Sequence, residues 1–483
     1  MKIKVDGIKP DKYQKRVVKS KAQNLLVLAG AGSGKTFTIV AKIKYLIEKG
    51  IRPEEILCIS FTKASSKNLE EKIKKENINI KVKTFHSLGY GIIKKYKNVK
   101  LTEDTVLKNI INKNIEKCEN LKDILNLEFK RLGYPDKSFK KLEKNIIINS
   151  SHKSKLEKIM TIFINLYKSG NHSIKDFQKF EKTNNKNNIY DQKRRHNYFL
   201  KLIKKTIQDY NQTLKKRNEI DYHDMINLAT KIVKKKGIYP YKYIIIDEYQ
   251  DTSLNKTNLI KEIQNKTNAK LLALGDDWQS IYAFTGSNLE IFTNFKKIFP
   301  KSKIMKLKNT YRNPKELLDL SSGFICQNPR QIKKKLKSNK SISRPIQIYY
   351  YNNSLEEVWK KVIKNINIKD TIILGRNNND KITKDITFLT MHKSKGLESE
   401  NVIIINLEDK YNSIPNKIKE SEYLAYVKPK IDSYPYAEER RLFYVALTRT
   451  KNKNYLIVNK NNPSIFVREL LKYHGNYIEE HGK

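Results

Sequence analysis

Three short stretches hold residue types whose spacing could do chemistry on a nucleotide. The first is Ala29–Thr36, AGAGSGKT. Gly30, Gly32 and Gly34, alternating with Ala29, Ala31 and Ser33, let successive backbone N–H groups curl around phosphate oxygens. Lys35 can then reach the β- and γ-phosphates of ATP, and the Thr36 hydroxyl suits a magnesium ion. The second stretch, IIIDEYQDTS, puts Asp247 and Glu248 at the end of an apolar strand, where open α/β sheets bind their ligands. There Asp247 can hold the magnesium through its water shell, and Glu248 can orient or deprotonate the water that attacks the γ-phosphate. The third, GDDWQSIYAFTG, offers Gln279, whose amide can sense the γ-phosphate, and three aromatic rings. Trp278 is expected in the core, whereas Tyr282 and Phe284 are expected to stack bases, a contact that tolerates any sequence. An ordinary glycine-rich turn and an acidic helix cap are the bland alternatives for the first two stretches. Against them stand the flanking strand and helix, and the rarity of two adjacent carboxylates ending an apolar strand without a cationic partner.

The elements that must position these residues follow from the hydrophobic pattern. Leu25 to Leu28 predict a strand before the loop and FTIVAKIKYLIEK a helix after it, so the phosphate would rest on a helix N-terminus. ILCISF and INIKVKTF predict further strands alternating with helices. From about Lys97 to Lys216 the alternation gives way to Lys-rich helical patterns, with a polar interruption at EKTNNKNNIYDQKRRHN, which reads as an inserted helical subdomain. YKYIIID and KLLALGD resume the parallel sheet, and the first core domain is expected to close near Pro300. PIQIYYY, TIILGR, ITFLTMH, NVIIINL and NYLIVN then predict a second α/β unit. The expected division is 1–96 and 217–306 for the first domain, 97–216 for its insertion, and 307–483 for the second.

Composition narrows the class. A net charge of +48 suits a protein that neutralises phosphates, although Lys is abundant everywhere and compositional drift accounts for part of it. Basic runs such as KIKKENINIKVK and the lysines after Gln331 read as solvated surface. Because Lys greatly outnumbers Arg, the late cluster Arg312, Arg376, Arg440, Arg441 and Arg449 is informative: a planar guanidinium binds phosphate in a way an ammonium cannot. Cys58, Cys118 and Cys326 show no paired spacing, which argues against a disulfide framework or a zinc site. With no bilayer-spanning run and a charged N-terminus, a reduced, cytoplasmic chain is expected.

The order of the motifs resembles the superfamily 1 helicases of the UvrD, Rep and PcrA type over nearly the whole chain. Ala29 in the first loop position matches that family, and YPYAEERRLFYVALTRTKN resembles its helicase IV branch. The resemblance implies an α/β fold of two RecA-like domains, parallel sheets flanked by helices, with a helical insertion in the first. It also implies roles. Gln14 in KPDKYQKRVV looks like the adenine-reading glutamine, Tyr311 in NTYRNP like the adenine-stacking ring, and Glu398 in TMHKSKGLES like the ribose contact. Arg312 and Arg449 look like the two γ-phosphate arginines; lying in the second domain, they would reach ATP on the first only when the cleft closes. Phe61 and Thr62 in FTKASS, Thr84 and His86 in TFHSL, and Arg376, Thr390 and His392 are implied as DNA contacts, beside Tyr282 and Phe284. His86 and His392 alone would more often be core histidines, and Arg440 and Arg441 are read as helix-surface ion pairs.

Thr285 stands where the family usually has an arginine, and FTKASS replaces FTNKAA. The family's large second accessory domain falls between the strand TIILGR and TMHKSKGLES; here only NNNDKITKDI separates them, too short for a domain. The expected activity is an ATP-dependent DNA helicase moving 3′ to 5′ on single strands and at single-strand/duplex junctions, with ATP and Mg2+, in repair, recombination or replication. The alternative is a DNA-stimulated translocase that displaces proteins or drives a repair or phage-defence complex without unwinding. A binding module with a dead ATP site conflicts with Lys35, Thr36, Asp247, Glu248, Arg312 and Arg449 occurring together.

Overall fold

Strands buried on both faces read as continuous apolar runs, and two sheets of such strands organise the chain. The computed structural model describes residues 3–125, 151–187 and 190–482, other than 353, 365, 384, 430 and 431. Residues 126–150 of the expected insertion, and 188–189 of its polar interruption, lie outside the described residues.

The first sheet contains β1 (Asn24–Ala29), β2 (Ile56–Ser60), β3 (Val82–Thr84), β6 (Tyr243–Ile246), β7 (Lys270–Gly275) and β8 (Ser302–Leu307), in the order β3-β2-β6-β7-β1-β8. Every neighbouring pair in it is parallel. Helices α1 (Lys12–Lys19), α2 (Lys35–Glu48), α3 (Lys63–Lys74) and α4 (Phe85–Lys94) flank it. Since β6, β7 and β1 are adjacent and parallel, their C-terminal ends bring Asp247, Asp276 and the loop from Gly30 together at one edge.

The second sheet is also wholly parallel, with β9 (Ile346–Tyr351), β10 (Thr371–Gly375), β11 (Thr387–Thr390), β12 (Asn401–Ile404), β13 (Asn454–Asn459) and β14 (Ile478–His481). Its order is β11-β10-β12-β13-β9-β14. Together the sheets make the α/β fold expected from the sequence. The expected strands therefore form, and two edge strands, β8 and β14, join them.

A short parallel pair, β4 (Lys100–Leu101) with β5 (Glu219–Ile220), forms the stem where the helical insertion leaves and returns. Its described helices are α5 (Asp104–Glu116), α6 (Ser151–Ser169), α7 (Asp176–Asn187) and α8 (Tyr190–Arg217). Most of the expected polar interruption is thus helical, since α7 runs to Asn187 and α8 starts at Tyr190. Buried Asn184 helps join the two helices, donating to Lys193 O at 2.9 Å.

The insertion is anchored to both domains. Buried Lys168 on α6 pairs with Asp221 and Asp224 at 2.6 and 2.8 Å, around the start of α9 (Tyr222–Lys236). From the second domain, the strap 421–427 enters the insertion's own core through Tyr423, Leu424 and Val427. The Tyr423 ring stacks on Phe199 at 4.0 Å and 4°, and its hydroxyl donates to Ile124 O at 2.8 Å. Such an aromatic pair contributes ~0.5–1.5 kcal/mol beyond the area it buries. Among the described residues no helix is long and apolar enough to cross a membrane.

Candidate active site

The loop Gly30–Gly34 owes its shape to two left-handed residues, Gly32 (φ 66°) and Gly34 (φ 76°). Space demands glycine there as well: a Cβ on Gly32 would lie 2.5 Å from Arg312 Cβ, and one on Gly34 would lie 2.7 Å from Gln14 Nε2. Lys35 opens α2, and its ammonium meets Glu248 Oε1 at 3.2 Å. Burial works against that charge, but Glu248, Asp276 and Asp247 outweigh it and hold the lysine above its ordinary pKa.

Glu248 follows β6 with φ 51°, a backbone region a non-glycine residue adopts at some cost and one that clusters at functional sites. Gln250 fixes its carboxylate, donating from Nε2 to Oε2 at 2.6 Å. Burial opposes the charge of Glu248, but Lys35 and Lys395 hold it below the usual carboxylate range. Asp247 moves the other way, raised by burial and by the neighbouring charge of Glu248. A buried carboxylate short of positive charge fits a cation at that position.

The segment after β8 runs beside the loop, and the second domain supplies the facing wall, from which Lys395 and Arg449 reach Gln279. Tyr311 N donates to Gly32 O at 2.9 Å, and Thr310 Oγ1 to Ala31 O at 2.9 Å. The exposed Tyr311 ring stands at the mouth, its hydroxyl donating to Asp11 Oδ2 at 2.7 Å. Gln14 lies beneath it with its amide engaged, accepting from Asp11 N at 3.0 Å and donating to Ser33 O at 3.4 Å. Arg312 spends its charge on Glu398, with Nε and Nη2 each 2.8 Å from Oε2. Glu398, implied as a ribose contact, therefore holds an arginine here.

Arg449 is different. Only 1% exposed, its guanidinium donates solely to neutral atoms among the described residues: Val445 O (2.9 Å), Leu397 O (3.2 Å), Gln279 Oε1 (3.3 Å) and Thr448 Oγ1 (3.4 Å). Burial and then the like charge of Arg312 push its pKa down, as befits a buried cation lacking an anion.

A second cluster spans the domains beside this cleft. Phe61 stacks on Tyr282 at 5.5 Å and 19°, Tyr282 meets Phe284 at 6.0 Å, and Phe284 meets His392 at 5.6 Å. Lys256 lies over Phe61 at 4.5 Å and Lys395 over Tyr282 at 4.9 Å. Phe284 is 47% exposed, so part of its ring is open to solvent. We expect Phe284→Ala to weaken single-stranded oligonucleotide binding by ~1–3 kcal/mol while sparing basal ATP hydrolysis. Titrations in which both Tyr282→Ala and Phe284→Ala bind like wild type would assign the rings to packing alone.

Other sequence candidates are placed with structural duties. Thr62 and Thr84 cap α3 and α4, accepting from Ser65 N (3.0 Å) and Ser87 N (3.1 Å). Arg376 forks onto Glu439, with Nη2–Oε1 at 2.8 Å, and Thr390 accepts from Lys393 N at 3.3 Å. Burial lowers His86 and His392 to about 4.

Two expectations are corrected. Arg440 and Arg441 are buried rather than on the helix surface: Arg440 forks onto Glu469 at 2.9–3.0 Å, and Arg441 Nε donates to Ser280 O at 2.7 Å. The run after Gln331 is not all solvated either, because Lys334 is buried against Asp276 and Asp277. Trp278, as expected, is core.

Sequence reasoning missed Gln250, Asp276 and Lys395. They lie inside IIIDEYQDTS, GDDWQSIYAFTG and TMHKSKGLES, and Lys395 crosses the cleft to Asp251 Oδ2 and Gln279 O, each at 2.6 Å. Lys334 has no such local signal.

With this geometry in hand, comparison with known proteins is specific. Residues 11–300 match the UvrD/REP helicase N-terminal domain and 361–461 the UvrD-like helicase C-terminal domain. DNA helicase IV of Escherichia coli (strain K12) is 30% identical over 95% of this chain and 69% of that protein. ATP-dependent DNA helicase Rep of Buchnera aphidicola subsp. Acyrthosiphon pisum is 28% identical over 82% of this chain and 61% of its own length. For ATP-dependent DNA helicase PcrA of Staphylococcus epidermidis (strain ATCC 12228 / FDA PCI 1200) the values are 26%, 73% and 45%. A parallel-sheet pair joined across a phosphate loop, and matches that run through both halves, lead to one assignment: the chain belongs to the UvrD/Rep helicase family.

Proposed function

We propose that the chain is an ATP-dependent DNA helicase that moves 3′ to 5′ on single strands and acts at single-strand/duplex junctions. The observation that carries this reading is Arg449, a buried guanidinium of the second domain with no anionic partner among the described residues, which reaches Gln279 of the first domain. It fits a γ-phosphate, and Lys35 with the backbone of Gly30–Gly34 would cradle the remaining phosphates. Tyr311 and Gln14 frame the mouth where a base would lie. Glu248, ionised and fixed by Gln250, orients the attacking water.

Among the described residues no three His, Cys, Asp or Glu gather into a metal site. That suits magnesium, which is commonly held by one or two protein ligands together with substrate phosphates. Thr36 and Asp247 would hold it, and when bound it would neutralise charge on the phosphates. Hydrolysis would change the contacts of Arg449 and Arg312 across the cleft, and the aromatic cluster, built from both domains, would feel that change.

A second reading, a DNA-stimulated translocase that does not unwind alone, is favoured by one feature: only residues 376–386 join β10 to β11. The readings separate when unwinding of a 3′-tailed duplex is followed beside ATP hydrolysis. We expect both activities; rapid strand-dependent hydrolysis with no unwinding at any enzyme excess would leave the translocase.

A further inference from the structure

Lys334 lies in RQIKKKLK, between the helix Lys315–Cys326 and β9, where its neighbours Lys333 and Lys335 are exposed. Its own side chain is only 3% exposed. The ammonium pairs with Asp276 Oδ1, lies 2.5 Å from Asp277 Oδ1, and covers the Trp278 ring at 4.3 Å. Asp276 is fully buried, and Lys334 is its ion-pair partner among the described residues. The other carboxylate oxygen, Oδ2, accepts from Gln279 Nε2 at 2.6 Å, and Gln279 Oε1 accepts from Arg449 at 3.3 Å. A relay therefore runs from Lys334 through Asp276 and Gln279 to Arg449.

An amide has two nearly isosteric ends, so something must decide which one faces the arginine. Arg449 only donates and so takes the oxygen, and the Asp276 carboxylate, which accepts from the NH2 end, holds the amide in that sense. That carboxylate is itself held by Lys334 on Oδ1, where Trp278 N also donates at 3.2 Å. We propose that Lys334 is a positioning residue for γ-phosphate chemistry: it holds the Asp276 carboxylate in place and thereby the orientation of Gln279 toward Arg449. This rests on the proposed service of Gln279 and Arg449 to the γ-phosphate.

The test is single-strand-stimulated ATP hydrolysis by the full chain, with affinity measured separately for a fluorescent non-hydrolysable ATP analogue. For Lys334→Met we expect kcat to fall on the order of 10- to 100-fold, the scale at which partners behind a reacting group act. Analogue affinity should stay within about threefold of wild type, less than 1 kcal/mol. In a Gln279→Ala background the same substitution should cost nothing further, whereas a lysine that only holds its loop would cost the same in both backgrounds. Should Lys334→Met fail to fold, Asp276→Asn breaks the relay isosterically and is expected to give the same split between kcat and affinity. A kcat within twofold of wild type in the folded variant, or an equal loss on top of Gln279→Ala, overturns the proposal. Absence of hydrolysis by the wild-type chain overturns the functional reading and this inference with it, so the two failures are told apart.

Discussion

Glu248→Gln is expected to stop ATP turnover while leaving the nucleotide bound. The side chain is held where a water attacking the γ-phosphate would be oriented, by Gln250 on one oxygen and Lys35 on the other. Glutamine keeps the size and still accepts from Gln250, but it cannot take a proton and no longer neutralises Lys35. Loss of a positioned base costs on the order of 10² to 10⁴ in rate. Freed of its partner, Lys35 has more charge to offer a phosphate, so affinity should hold or rise. Lys35→Ala, by contrast, should lose turnover and affinity together. Single-turnover hydrolysis beside analogue binding distinguishes the two variants, and wild-type rates in either would refute the assignment.

Arg449→Ala should lower kcat on the order of 10³ to 10⁵, the scale set by arginines that stabilise transferring phosphoryl groups. Arg449→Lys should not rescue it. The guanidinium divides its donors among Val445 O, Leu397 O, Gln279 Oε1 and Thr448 Oγ1, a set that one ammonium cannot span. Removing it breaks no ion pair among the described residues, so the variant should fold; a melting curve checks this before kinetics. Turnover within tenfold of wild type would leave Arg449 without its proposed role. Arg312→Ala should be milder, because that guanidinium is already compensated by Glu398.

Legibility in the sequence depends on how local each feature is. Ile244, Ile245 and Ile246 announce a strand because helices cover both faces of a parallel sheet. The edge strands β8 and β14 do not: SKIMKL carries exposed lysines, and IEEH carries half-buried glutamates that accept from Gln347 and Tyr350, polarity that hides both strands from a hydrophobic count. At the site, Lys35, Asp247 and Glu248 were readable because loop and strand end supply all their context within a few residues. Thr62 and Thr84 carry a legible signal of another kind, a serine three residues on, which is the spacing of a helix cap. Lys334 was opaque. Its burial is decided by Asp276 and Asp277, far back in the chain, and one buried lysine looks like its exposed neighbours in a basic run. Arg440 and Arg441 were misplaced for the same reason, since Glu469 and Ser280 that receive them are not on their helix.

The strap 421–427 sets an order of assembly for the newly made chain. The insertion's last helix ends at Arg217, but its core is completed by Tyr423, made about 200 residues later. At roughly 5–20 residues per second, the ribosome leaves that socket unfilled for on the order of ten seconds or longer. Until then Phe199 lacks its stacking partner, and apolar surface meant for the strap faces the cell. The insertion thus reaches its finished state only after most of the second domain has been synthesised, which couples the maturation of the two halves.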